Sequence, residues 1–175
     1  MKNISPIFNL FLTLLLFGCS PPPSTTTNDI APTNTIPATV LSTGDGDSLQ
    51  VQSRDGSPNK IRIGCIDSPE YSQEYGPEAS QRLKALLPNG ADIELRVIDI
   101  DQYGRTVAEI YSRGKSVGLQ LVTEGHAVVY HRYLDGCADT ADQYVAAEEE
   151  ARSQKLNFWS QQNPIMPWEF RRRNR

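Results

Sequence analysis

Lys60-Ile61-Arg62-Ile63-Gly64-Cys65-Ile66-Asp67-Ser68-Pro69-Glu70 reads as a strand that runs out into an acidic turn. Ile61, Ile63 and Cys65 alternate with Lys60, Arg62 and Gly64, the two-residue period of extended chain with one buried face. Pro69 lacks the donor that a sheet ladder needs, so the strand ends in Asp67-Ser68-Pro69-Glu70. Arg62 lies on the polar face, and the exit turn holds two carboxylates, Asp67 and Glu70. A surface strand needs no such set. A site that holds a metal and clamps an anion does.

Upstream, Thr39-Val40-Leu41 leads into Thr43-Gly44-Asp45-Gly46-Asp47-Ser48 and then Leu49-Gln50-Val51-Gln52, a strand with one wet face. Glycines alternating with aspartates make a turn with close backbone approach. An EF-hand loop is excluded, because the later ligand positions, the terminal Glu and the flanking helices are absent. Arg54–Asn59 is a hairpin loop built on Asp55-Gly56.

Downstream, Pro77 and Glu78 start a helix whose stripe is Ala79, Leu83, Leu86 and Leu87, and Pro88-Asn89-Gly90 stops it. Ala91–Asp101 is a strand with a bulge or bend near Ile98 and Ile100. The turn through Tyr103-Gly104-Arg105 leads to a strand over Thr106–Tyr111. Ser116 caps a short helix that ends at Gly125. His126–Tyr133 reads as extended, and Asp139 or Thr140 opens a last helix to about Lys155. Three strands, a helix, two strands and further helices describe an α+β fold, mainly β: an OB-type five-stranded Greek-key barrel with three helices.

The N-terminus reads as an address. Met1-Lys2 is followed by the apolar run Ile7–Phe17, too short for a bilayer span of about 20 residues but suited to a signal peptide over 1–18. Leu16-Phe17-Gly18-Cys19 resembles a lipoprotein signal, which implies lipid on Cys19, a membrane anchor and an extracytoplasmic location. The alternative is an ordinary secretory signal, giving a secreted or periplasmic protein. Residues 19–36 are rich in Pro, Thr and Ser and read as a disordered tether. The remaining domain is expected over 37–162, with a Pro/Trp/Arg tail over 163–175, and as a monomer.

Charge alone points weakly away from nucleic acid. There are 17 Lys and Arg against 21 Asp and Glu, a net charge of −4, whereas nucleic-acid binders usually show a basic face. Sign can be local, however, as at Arg62, Arg105 and the Arg171-Arg172-Arg173 run.

Five stretches in order carry a resemblance: Asp45-Gly46-Asp47-Ser48; Arg62 through Ile66-Asp67-Ser68-Pro69-Glu70; Tyr75-Gly76-Pro77-Glu78-Ala79; Tyr103-Gly104-Arg105; and Lys155-Leu156-Asn157-Phe158-Trp159-Ser160. Together, over about residues 38–161, they resemble the thermonuclease, or staphylococcal-nuclease-like, family. The resemblance implies an OB-fold, calcium-dependent nuclease that cleaves DNA and RNA. It implies that Asp47 and Asp67 bind calcium. Ser68 stands where the family has Thr, whose main-chain carbonyl binds the metal. Asp45 matches an outer-shell acid and Glu70 the general base. Arg62 and Arg105 match two phosphate-clamping arginines. Tyr130, His131 and Tyr133 fall where the family contacts nucleotide, and can stack on or bond to a base or phosphate.

The residue chemistry agrees. A phosphodiester is anionic, and a planar guanidinium can neutralise its equatorial oxygens bidentately where Lys cannot. A hard cation held by oxygens serves as Lewis acid and template. With only His126 and His131 present, there is little material for a histidine-based mechanism. An OB module that binds oligonucleotides without cutting is the competing reading, but a binder has no need of Asp47, Arg62, Asp67, Glu70 and Arg105 together.

With Cys19 assigned to lipid, Cys65 and Cys137 form an even pair in an oxidising location. In the family fold the Leu134–Cys137 loop runs close to the Cys65 strand, which implies a disulfide; the count itself leaves two separate thiols open. The tail Pro164–Arg173 resembles a C-terminal extension of secreted bacterial members. Pro164 and Pro167 read as precluding a helix there, with Trp168 and Phe170 packed on the body and the arginines free to meet nucleic acid or an anionic membrane surface.

Overall fold

The computed structural model describes residues 32–174. The expected signal segment, Cys19 and the expected tether up to residue 31 lie outside the described residues. Eight strands and four α-helices follow in order: β1 Ile36–Thr43, β2 Ser48–Ser53, β3 Pro58–Ile63, β4 Ile66–Asp67, α1 Gly76–Leu86, β5 Asp92–Ile100, β6 Thr106–Ser112, β7 Lys115–Ser116, α2 Val117–Thr123, β8 Val128–Val129, α3 Ala141–Ser153 and α4 Pro167–Arg173.

Five strands close into a mixed barrel. The order is β3-β2-β1-β5-β6, with β3 pairing back on β6. All neighbours are antiparallel except that closing pair, which is parallel, with Arg62 opposite Val107. Closure leaves no long free edge and defines the OB topology. Inward positions alternate as the strand period demands, so Val40, Leu49, Val51, Ile61, Ile63, Ile93 and Ile110 fill the interior. The bulge expected in β5 falls between Val97 and Asp99.

Helix α1 lays Ala79 and Leu83 on the barrel, and Ser116 caps α2 by accepting from Leu119 N at 3.2 Å. A second apolar cluster of Val128, Ala151, Phe158 and Trp159 receives Met166 and Trp168 from the C-terminal segment. Beneath the loop that precedes α3 lies a buried carboxylate, Glu109. It accepts from Thr140 Oγ1 at 2.7 Å and Tyr111 OH at 3.2 Å, and it pairs with Arg96. Arg96 also donates to Gly136 O at 2.8 Å, so this loop is held from below.

Three local expectations are corrected. Cys65 is not on the strand: β3 ends at Ile63, and Cys65 sits in a tight turn at φ 65°. A disulfide joins it to Cys137 across 72 residues of chain. The segment from His126 to Tyr133 is strand only over Val128–Val129, because its partner β4 has just two residues before the turn at Pro69. From His131 to Cys137 the chain winds into 3-10 turns, which bring the buried Cys137 back toward Cys65. The tail is helical over Pro167–Arg173. Pro167 stands in the first turn, where no amide donor is required, and Met166 before it is extended at ψ 144°. This segment adds a fourth α-helix among the described residues.

Candidate active site

The site forms where β3 leaves the barrel. Arg62 is held in a strand paired on both sides, opposite Ser48 of β2 and Val107 of β6. Asp47 comes from the β1–β2 turn. Its carbonyl accepts from Ile63 N at 2.9 Å, and its carboxylate Oδ2 accepts from Ser68 N at 2.8 Å. Gly46 permits this approach, since a Cβ there would lie 2.8 Å from the Cβ atoms of both Ala79 and Ser68. The turn that carries Glu70 is closed by Gln73 N donating to Glu70 O at 2.8 Å. Gly76 packs against that same carbonyl so tightly that a Cβ would fall 1.9 Å from it.

The acids are bridged by guanidinium groups. Arg62 Nη1 pairs with Asp47 Oδ2, and Arg62 Nη2 with Asp67 Oδ1 at 2.7 Å. Arg171, from α4, shares Asp67 with Arg62 and reaches Glu70 as well. Its Nη2 lies 2.8 Å from Asp67 Oδ2, and its Nη1 lies 3.0 Å from Asp67 Oδ1 and 2.7 Å from Glu70 Oε1.

Asp67 is fully buried. Burial pushes its carboxyl above the usual range, with Arg171 and Arg62 pulling the other way. Asp45 is also raised, first by burial and then by Glu70 and Asp47. Burial works against charge on Arg62, but Asp47 and Asp67 overcome it and raise its pKa. The set is therefore an anionic cluster that requires positive charge beside it.

Arg105 lines the same groove. It is one-third exposed, with Nε held by Asp101 Oδ2 at 2.7 Å and Cζ 5.6 Å from the Tyr103 ring. The groove encloses about 880 Å³, and Asp45, Ser68, Tyr130 and Tyr133 also line it. Tyr133 is 54% exposed and stands edge-on to Tyr130 at 4.9 Å. His131 is not brought there. Its Nε2 lies 3.4 Å from Glu148 Oε2, and Arg132 lines the groove in its stead.

The reading of the sequence missed Arg171, Trp168, Arg132, Asp101 and Gln73 as neighbours of the site. Trp168 stacks on Tyr130 at 5.1 Å with planes 5° apart. The only signal for this was the three-residue spacing of Trp168 and Arg171, which shares a face once the segment is helical. Among the described residues, no three His, Cys, Asp or Glu side chains stand preassembled as a metal cage.

Comparison with known proteins bears on the whole arrangement. The model of the staphylococcal nuclease homologue family matches residues 60–161, more than half of the chain. A staphylococcal-like nuclease of Arabidopsis thaliana is 35% identical over 116 residues, 66% of this chain and 34% of that protein. A probable staphylococcal-like nuclease of Oryza sativa subsp. japonica is 34% identical over the same length, 30% of its own chain. The chain thus spans about a third of the length of these plant relatives. An uncharacterized endonuclease of Haemophilus influenzae is 29% identical over 136 residues, 78% of this chain and 73% of that protein. A closed five-stranded barrel, a groove of paired acids and arginines at the exit of its third strand, and these matches place one conclusion beyond the fold alone: the chain belongs to the staphylococcal nuclease homologue family.

Proposed function

We propose that this protein is a calcium-dependent nuclease that hydrolyses phosphodiester bonds of DNA and RNA, at internal positions and at ends, as a monomer. The observation that carries the reading is that one groove is lined by Asp47, Arg62, Glu70 and Arg105, with the buried Asp67 bonded to Arg62.

The residues present fit a hard divalent cation. The donors are carboxylate and carbonyl oxygens, with no thiolate or imidazole among them. Asp67 is wholly buried and needs a positive charge beside it, and Ser68 Oγ is buried with no hydrogen-bond partner among the described residues. Asp47, Asp67 and the main-chain carbonyl of Ser68 would hold the cation, with Asp45 outside them. When bound, it would act as a Lewis acid on a phosphate oxygen.

The chain's own groups supply the remainder. Arg62 and Arg105 offer two planar forks to one phosphate and neutralise charge that grows in the transition state. Glu70 takes a proton from the attacking water. Tyr130 and Tyr133 offer rings against which a base can stack. DNA digestion should proceed with calcium, stop with chelator, and fall by at least about 10²-fold in Glu70→Ala. Equal cleavage in all three would overturn the mechanism.

We further propose that the protein works outside the cytoplasm on a lipid anchor at Cys19, a reading supported by the apolar run Ile7–Phe17 and the Gly18-Cys19 step. Cells fed a labelled fatty acid should label the parent chain and not Cys19→Ser. Label on neither would leave a secreted or periplasmic form.

A further inference from the structure

The acid site holds one guanidinium more than a phosphate clamp requires, and that group comes from the far end of the chain. Arg171 takes both oxygens of Asp67 and one of Glu70. It is supplied by α4, a helix of seven residues, far too short to persist without docking. Met166 and Trp168 seat this segment on the second apolar cluster, and three further contacts tie it to the site. Gln73, in the turn of Glu70, donates to Ile165 O at 2.6 Å. Trp168 stacks on Tyr130. Arg171, one turn beyond Trp168, caps the acids.

Arg171 thus adds positive charge beside the buried Asp67, whose Oδ1 it shares with Arg62. Arg62 bonds Asp67 at Oδ1, whereas Oδ2 is taken by Arg171 alone among the described residues. A divalent cation on Oδ2 would need that lone pair and would repel the Arg171 guanidinium within bonding distance, so the two would exclude each other. With Arg171 seated, Glu70 is also engaged and Tyr130 is covered by an indole rather than open to a base.

We propose that α4 is a built-in plug: Arg171 stands in for the cation on Asp67 and Glu70, and binding of a divalent cation expels it and lifts Trp168 from Tyr130. This rests on the reading of Asp67 as a cation ligand. It differs from a role for the tail in gripping nucleic acid, which would leave cation affinity untouched. The apparent affinity for the cation is reduced by the fraction of molecules with the plug open.

The test uses the whole chain and calcium alone, with no nucleic acid. Calorimetry should show Arg171→Ala binding calcium about tenfold or more tightly than the parent. If that variant folds poorly, Arg171→Gln serves instead. In the parent, tryptophan emission should change with calcium along the binding curve. In Trp168→Phe the change should vanish, leaving Trp159 silent. Equal affinities would overturn the plug. So would a tighter variant with parent emission unmoved by calcium, since that is the outcome of charge alone. If affinities are equal while cleavage still requires calcium, the plug fails and the nuclease reading stands. Calcium binding to neither chain would overturn both.

Discussion

Replacing Arg105 with Ala is expected to lower kcat for DNA cleavage by about 10²–10³-fold, the usual cost of one preorganised donor to a developing anion. The fold should hardly notice. Arg105 is one-third exposed, and its partner Asp101 lies four residues away in the same turn, an arrangement that contributes little to stability. Asp101 also keeps its carboxylate bonds to the main-chain amides of Tyr103 and Arg105, at 2.9 and 3.0 Å. The loss is therefore chemical rather than structural. Arg105→Lys should recover little of it, because an ammonium lacks the planar fork. Steady-state kinetics beside a thermal melt read both effects, and an unchanged kcat would remove Arg105 from the clamp. Arg62 is the poorer test. Its removal leaves Asp47 without a cationic partner among the described residues, and an uncompensated buried charge costs about 3–5 kcal/mol, so lost activity and lost fold would be confounded.

The second large effect is on stability. Breaking the Cys65–Cys137 link, by Cys65→Ala with Cys137→Ala so that no thiol is left over, should cost up to roughly 4 kcal/mol. That figure follows from the loop entropy of the 72-residue separation. For a domain of this size the melting temperature should fall by roughly 10–15 °C. Reductant should bring the parent to a similar value and leave the double variant unmoved. A parent indifferent to reductant would show that the link adds nothing. The link also ties the turn after β3 to the segment that carries Tyr133, so the acid wall and the aromatic wall of the groove should drift together as it is lost.

Much of this architecture was legible because it is written in short-range periods. Ile61 and Ile63, Leu49 and Val51, and Ile93 and Leu95 alternate, and each sits inside the barrel. The α1 stripe was legible from Ala79 and Leu83, and the β5 bulge from the break in alternation near Ile98. The groove residues Asp47, Arg62, Glu70 and Arg105 were legible as an ordered set, although nothing local to any of them says that they meet.

The misreadings have physical causes. Pro167 reads as a breaker but stands at a helix start, where its missing donor costs nothing. Tyr130 to Tyr133 mimicked an alternating strand, but the two-residue length of β4 left nothing for a longer partner to pair with. Arg171 sits 101 residues from Glu70, and an ion pair across that span has no local signature. His131 carried no mark that separated a ring facing Glu148 from one facing a nucleotide.

The parallel closure of β3 on β6 decides when the groove is completed. A chain that emerges N-terminus first has made Asp47, Arg62, Asp67 and Glu70 long before residue 106. Until Thr106–Ala108 arrive, however, β3 has a partner on only one edge, and pairings of this span form late. Arg105, the last member of the set, is made immediately before the residues that close the barrel. A nascent chain therefore carries its acids without a frame to aim them. The geometry that the proposed hydrolysis requires is therefore a property of the finished barrel, and no contiguous fragment around Lys60–Glu70 would carry it when transplanted.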